Sequence, residues 1–187
     1  TGECKGLLIE ESRQNLITSS NNFGSSSTHY GITANAAISP DGTLNASKIF
    51  ESTTNNYHIY FNSFTAVAGT TYCASVFLKA AENANVYFKF AGGGAGSNEF
   101  FVNLKAGTIT SGANRGIINY GNGWYRVYSV LSFITSVAAN SFQLFTTSPS
   151  GGLTYQGDGT SGFYAYGMQV EAGAFPTSYI PTTASTV

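Results

Sequence analysis

The sequence predicts an all-β protein, an antiparallel two-sheet β-sandwich, and three observations carry that expectation. Only 9% of the 187 residues are charged while 14% are aromatic, and Gly, Ser, Thr and Asn dominate the remainder. That balance suits short strands joined by many turns. About nine or ten strand-like runs recur at spacings of 8–20 residues, each bounded by Gly, Pro, Asn, Asp or Ser. No helical period extends beyond a turn or two, so a helical bundle is excluded.

Taken in order, the apolar run Gly6-Leu7-Leu8-Ile9 ends in charge and passes through Asn15-Leu16-Ile17, which reads as a first strand or an extended arm over about 1–16. Residues 18–28 are Ser, Asn and Gly rich around Phe23 and read as a loop held by one aromatic. Pro40-Asp41-Gly42-Thr43 is a turn before a strand at 46–51. In 57–61 the side chains alternate, with Tyr57, Ile59 and Phe61 on one face and His58 and Tyr60 on the other. Strands are expected at 72–79, 85–91 and 99–104, with one helical turn at Ala80-Ala81-Glu82-Asn83.

The Gly92–Gly96 cluster lacks the Lys-Ser/Thr of a phosphate loop and reads as a surface loop. Asn119–Gly123 is a turn before the plainest strand, 124–131, and another strand is expected at 142–147. Gly157–Gly162 turns the chain into a final strand at 163–171. Gly173, Pro176 and Pro181 then force it out of the sheet. The tail, about 174–187, is expected to be ordered because Phe175, Tyr179 and Ile180 can anchor it. The whole chain, 1–187, is expected to form one domain. Val76, Leu78, Phe88, Val127, Leu131 and Phe163 are the expected core.

Composition narrows the function classes. Eight Lys and Arg against nine Asp and Glu give a net charge of −1, so no basic footprint invites nucleic acid. No apolar stretch reaches the roughly 20 residues of a membrane-spanning helix, and membrane insertion is not expected. The start at Thr1, without Met, suggests a fragment or a processed product. Cys4 and Cys73 lack the paired spacing of a zinc site. Cys73 reads as a buried free thiol, with a Cys4–Cys73 disulfide as the alternative.

Several motifs together resemble one family. Gly6-Leu7-Leu8-Ile9-Glu10-Glu11-Ser12-Arg13-Gln14-Asn15-Leu16 looks like a "GLLIEESRTNLL" opening. Pro40-Asp41-Gly42-Thr43, Ser75-Val76-Phe77-Leu78-Lys79-Ala80, Gly121-Asn122-Gly123-Trp124-Tyr125-Arg126 and Gly157-Asp158-Gly159-Thr160-Ser161-Gly162 follow in order. The chain closes on Gly167-Met168-Gln169-Val170-Glu171-Ala172-Gly173-Ala174-Phe175-Pro176-Thr177-Ser178-Tyr179-Ile180-Pro181-Thr182, similar to "GAQLEAG.FPTSYIPT". This set resembles the β-sandwich domains of tailed-phage and prophage structural proteins, themselves similar to jelly-roll carbohydrate-binding modules.

The resemblance implies a jelly-roll appendage of a tail or head fibre on an extracellular virion. Its implied partners are a host-surface or environmental glycan or polysaccharide, other virion proteins, and further copies of itself as a homo-oligomer. No cofactor is implied. A structural calcium, which such sugar-binding modules often hold near the opening segment, has no clear motif here, since Gly24 stands where their acidic residue would be.

Candidate binding residues follow from aromatic chemistry, because a ring face matches the C–H face of a pyranose. Tyr57, His58 and Tyr60 lie in one aromatic strand, Tyr30 sits beside His29 in a polar loop, and Asn55, Asn56 and Asn62 can bond sugar hydroxyls. The same rings could instead fill the interior. Trp124 opens a strand and reads as a packing residue. Asp41 and Asp158 read as turn formers. The scattered carboxylates, His29 and His58 form no recognisable acid–base pair or metal set, so no catalytic residue is named. Three functions compete: non-catalytic glycan binding, docking to other virion proteins and, more weakly, polysaccharide cleavage.

Overall fold

A computed structural model describes residues 10–24, 27–92, 94–136 and 140–185. Fourteen strands follow along the chain: β1 (Ser27–Thr28), β2 (Tyr30–Ile38), β3 (Leu44–Glu51), β4 (Asn55–Tyr57), β5 (Ile59–Phe64), β6 (Thr71–Ala80), β7 (Asn85–Ala91), β8 (Ser97–Asn103), β9 (Thr108–Ile109), β10 (Arg115–Gly121), β11 (Trp124–Ser132), β12 (Asn140–Thr146), β13 (Thr154–Gln156) and β14 (Gly162–Ala172). One six-stranded sheet has the order β1-β5-β12-β7-β8-β9 and the other β10-β11-β6-β14-β3-β2, while β13 and β4 form a two-stranded ribbon. Each pairing is antiparallel, and the chain crosses repeatedly between the sheets, giving an all-β sandwich of jelly-roll type.

The core lies between the sheets because side chains alternate across each strand. In β7 and β8 the inward positions Val86, Phe88, Phe90, Phe100 and Val102 are buried, and the outward ones are half-buried or exposed. Phe88 stacks on Phe100 at 5.0 Å and tilts against Phe142 at 4.8 Å. Val76, Leu78, Val127 and Phe163 from the second sheet face this layer. Leu131 packs against the same core but is only half-buried, a departure from the expected full burial, because it lies one residue from the end of β11.

Strand β6 does not alternate: seven consecutive residues, Tyr72 to Leu78, are buried. Its outward face lies under a cover formed by the arm at 10–21 and the tail at 173–183. Leu16 N–H donates to Val170 O at 2.8 Å, and the Asn15 amide donates to Met168 O at 3.0 Å and Ile180 O at 2.9 Å. Further along, Ser20 N–H donates to Thr182 O at 3.1 Å, while Ser178 N–H donates to Glu10 at the other end. Arm and tail therefore run side by side in the same direction.

Between cover and sheet lies a layer of buried polar groups. Glu171 accepts from Gln169, from Thr177 N–H at 2.9 Å and from the Thr177 hydroxyl at 2.6 Å, with Arg13 3.8 Å away. Arg126 donates to Thr177 O and to Ser75 Oγ, and lies over the Phe77 ring. Each such group needs a partner to leave water, and the tail supplies them.

Of the two readings of the opening segment, strand or arm, residues 10–17 form no assigned strand and meet β14 through Leu16 N–H; residues 1–9, and with them Cys4 and its disulfide alternative, lie outside the described residues. Elsewhere the structure departs from the sequence expectations. Residues 81–84 form a bend and no helical turn. The expected strand 57–61 is broken at His58 into β4 and β5. Two strands, β2 and β10, arise where a loop and a turn were expected: β2 carries bulges around Asn35, whose φ is 53°, and β10 contains two glycines, features that hide an extended run.

Candidate functional site

Among the described residues neither arm nor tail covers the outward face of the first sheet, and its residues follow from register. Phe145 stands opposite Tyr87 on β7 and Ile59 on β5, Tyr87 opposite Phe101 on β8, and Lys89 opposite Glu99. Cross-strand neighbours on one face touch, so the rings form a continuous row. Tyr57 to Phe145 is 6.4 Å, Phe145 to Tyr87 is 5.4 Å and Tyr87 to Phe101 is 4.9 Å between centroids, each pair edge-to-face. The end rings are the most accessible, Tyr57 at 48% and Phe101 at 39% exposed, while Phe145 is buried in the floor. Tyr57, Phe145 and Tyr87, with Ile59, Lys89, Glu99 and Leu153 from the loop before β13, line a depression of about 390 Å³, and Phe101 extends the row beyond it.

One charged pair is set in this row. Lys89 Nζ lies 3.4 Å from Glu99. The Tyr87 hydroxyl hydrogen-bonds Glu99, and this bond, ahead of Lys89, holds the Glu99 carboxyl below the usual carboxylate range. Burial, and then that carboxylate, push the Tyr87 hydroxyl up to about 12, so it stays a donor at neutral pH. The result is a rigid apolar trough with a hydroxyl, a carboxylate and an ammonium fixed in it. Such a combination grips a ligand with both ring faces and hydroxyl groups.

The residues singled out from sequence divide sharply. Tyr57 is in the row. Tyr60 is buried completely, its ring 5.2 Å from Phe23 and 5.9 Å from Tyr30, and it is therefore a core residue, not a stacking platform; the alternation within β5 turns it inward. Its burial pushes the hydroxyl well above the ordinary tyrosine range. His58 is buried too, with Nδ1 2.6 Å from His29 O and Nε2 3.2 Å from Tyr155 O, and it holds the break between β4 and β5.

Tyr30 starts β2, half-buried, and donates to Phe23 O at 2.6 Å, so it is a strand residue of the interior rim, not a loop aromatic. Asn56 bonds His29 Nε2 at 3.1 Å and Asn62 donates to the Tyr60 hydroxyl at 3.3 Å. Asn55 pairs with Gln156 in the β4–β13 ribbon. These asparagines brace the wall beside the row and do not line it.

Lys89, Glu99, Tyr87, Phe101, Phe145 and Leu153 were not singled out from sequence. The signal was present in the alternation of 85–91 and 99–104, whose outward positions carry aromatic and charged side chains. Trp124 is buried on the outward side of the second sheet, donating to Ile38 O at 3.0 Å, in keeping with a packing role. Asp41 and Asp158 are turn formers: Asp41 accepts from Ser39, Thr43, Asn45 and Tyr166, and Asp158 from Thr160 and Ser161. For Asp41 partial desolvation works upward, but these donors outweigh it and hold the carboxyl low.

Cys73 is a buried free thiol. Among the described residues no group of three or more His, Cys, Asp or Glu is placed to hold a metal ion. No described helix is long and apolar enough to cross a membrane.

The sequence matches no family model and no curated protein. Among solved structures, the chain is similar to the Clostridium thermocellum endo-1,4-beta-D-xylanase 10B, a CBM22-1–GH10 structure complexed with xylohexaose. The TM-score is 0.43 and the identity 12%, over 91% of this chain and 29% of that one. A likeness this distant assigns neither ligand nor activity.

Proposed function

We propose that the protein is a non-catalytic glycan-binding module that uses the outward face of the first sheet. The observation that carries the reading is the row Tyr57, Phe145 and Tyr87, continued by Phe101, along a depression that also holds Lys89 and Glu99. Rings fixed edge-to-face lose little freedom on binding, which favours a weak ligand such as a sugar chain. The described carboxylates support a non-catalytic role: Asp41 and Asp158 are taken up by turns, Glu51 and Glu171 by buried networks, Glu82 and Glu99 by lysines, Glu11 by Arg13 and Glu10 by Ser178 N–H. The depression on this face is lined by one carboxylate, Glu99, whereas glycosidase chemistry uses a pair.

The opening and closing segments resemble those of phage structural proteins, and this supports a virion-borne, extracellular setting in which many copies act together. Multivalent display raises avidity above a weak single contact. The test is a glycan array probed with a multimerised protein, alongside a folded Tyr57→Ala/Phe101→Ala variant. Loss of the array signal in the variant is expected, and an unchanged signal would overturn the assignment of the face. A second reading, docking to other virion proteins, is favoured by the cross-strand pair Ile38 and Leu44, which are 61% and 62% exposed.

A further inference from the structure

A second depression lies on the opposite side of the molecule, beside the turn that joins β10 and β11. It measures about 350 Å³ and is lined by Ile38, Pro40, Lys79, Tyr120, Asn122 and Trp124, among others. The turn is built for close approach: Gly121, Asn122 and Gly123 all have positive φ, at 80°, 51° and 80°, which only glycine and asparagine adopt readily. A Cβ at Gly123 would meet the Lys79 stem at an ordinary contact distance of 3.5 Å, so the positive φ and not crowding calls for glycine there. The Tyr120 ring is 49% exposed, yet held edge-on to buried Phe77 at 4.8 Å and 89°.

The polar groups here are unspent. Lys48, Lys89 and Arg13 have carboxylate partners, and Arg115 and Arg126 donate to protein oxygens. Lys79, half-buried, has no hydrogen bond or ion pair among the described residues, and neither the Tyr120 hydroxyl nor the Asn122 amide has a partner there. Lys105 is also unpaired, but it is exposed and needs none. Asp41 belongs to the neighbouring depression beyond Tyr120 and has its oxygens filled by five donor groups from Ser39, Thr43, Asn45 and Tyr166.

We propose that this depression binds a carboxylated pyranose, such as a uronic acid residue, independently of the aromatic row on the first sheet. The sugar ring lies on Tyr120, its carboxylate meets the Lys79 ammonium, and Asn122 bonds a hydroxyl. A neutral sugar would leave the ammonium without its partner, so the site discriminates by charge, and salt weakens it.

The experiment is an amide-resolved NMR titration with sodium glucuronate, with glucose as the neutral control. Glucuronate is expected to shift amides of 39–42 and 120–124 and to leave those of Tyr87 and Phe145 unmoved. Lys79→Met should weaken the interaction by about tenfold or more, whereas Lys79→Arg retains it. Both variants should keep the wild-type amide pattern elsewhere, which separates lost binding from lost fold. Equal response to glucose, an unchanged titration in Lys79→Met, or no shift at about 50 mM, beyond the millimolar range expected of one charged contact, would overturn the proposal. Failure of the aromatic-row reading would leave each of these outcomes as decisive as before.

Discussion

The two outward faces of the sandwich obey the same alternation and reach opposite ends. On the first sheet the outward positions carry Tyr87, Lys89, Glu99 and Phe101, left open to solvent or to a ligand, around a buried Phe145. On the second sheet the outward positions carry Cys73, Ser75, Arg126, Gln169 and Glu171, all buried beneath the arm and tail. A buried polar network thus lies where water is excluded, beside the buried rings of Phe77, Trp124 and Tyr166, while the open face keeps a row of rings and one ion pair. The covered face uses polar groups as addresses for the tail, whose backbone needs specific partners. The open face uses rings because their mutual contacts keep them fixed without a cover.

The comparison can be broken most severely from the covered side. Glu171→Ala would strand Thr177, take one of two acceptors from Gln169 and leave Arg13 with Glu11 as its single carboxylate partner. A loss of about 3–5 kcal/mol is expected in denaturant unfolding. Glu171→Gln keeps the shape and should cost less. Asn15→Ala removes one side chain that bonds Met168, Val170 and Ile180 at once. About 2 kcal/mol is expected, together with faster amide exchange at Ile180, whereas wild-type exchange there would weaken the account of the cover.

Changes on the open face should dissociate stability from binding. Tyr57→Ala and Phe101→Ala should each lower stability by about 1 kcal/mol or less, as exposed positions do. Glycan binding should nevertheless fall by about tenfold, measured by affinity electrophoresis against the ligand that the array identifies. Tyr60→Ala should do the reverse, costing about 3–5 kcal/mol through a core cavity.

The smallest effect is in pH. The carboxyl of Glu99 is lowered by the Tyr87 hydrogen bond, so its contribution is fully present above the ordinary glutamate value of about 4.3 and is lost as pH falls through the lower folded-state value. Carboxyl NMR should show a midpoint below about 4.3, and Tyr87→Phe should move it upward.

Much of the architecture was legible from sequence because it rests on period-two patterning. The run 85–91 appears in the structure with the same limits, 72–79 gains one residue at each end and 124–131 one at its C-terminal end. What was hidden were segments in which Gly, Asn or a bulge interrupts the pattern, as in β2 and β10. The site was harder to read. Alternation tells that Tyr57 and Tyr60 lie on opposite faces, but not which face is inside, and that was decided by Phe23 and Tyr30 arriving from distant parts of the chain. The aromatic row joins β4, β12, β7 and β8, an adjacency that only the sheet order supplies. The buried polar layer left a trace in Gln169 and Glu171 within an otherwise apolar strand, yet nothing local announces that a tail will lie over them.

Cys73 turns the cover into something that can be timed. It stands opposite Glu171 in the sheet register, completely buried, and burial first, then the nearby Glu171 charge, push its thiol up to about 12. Almost none of it is thiolate at neutral pH, so an added disulfide reagent has neither a nucleophile nor a path. In a Cys4→Ser background the rate of Cys73 labelling would therefore act as a clock for the tail lifting away, and its acceleration in Asn15→Ala would measure how often that strap opens.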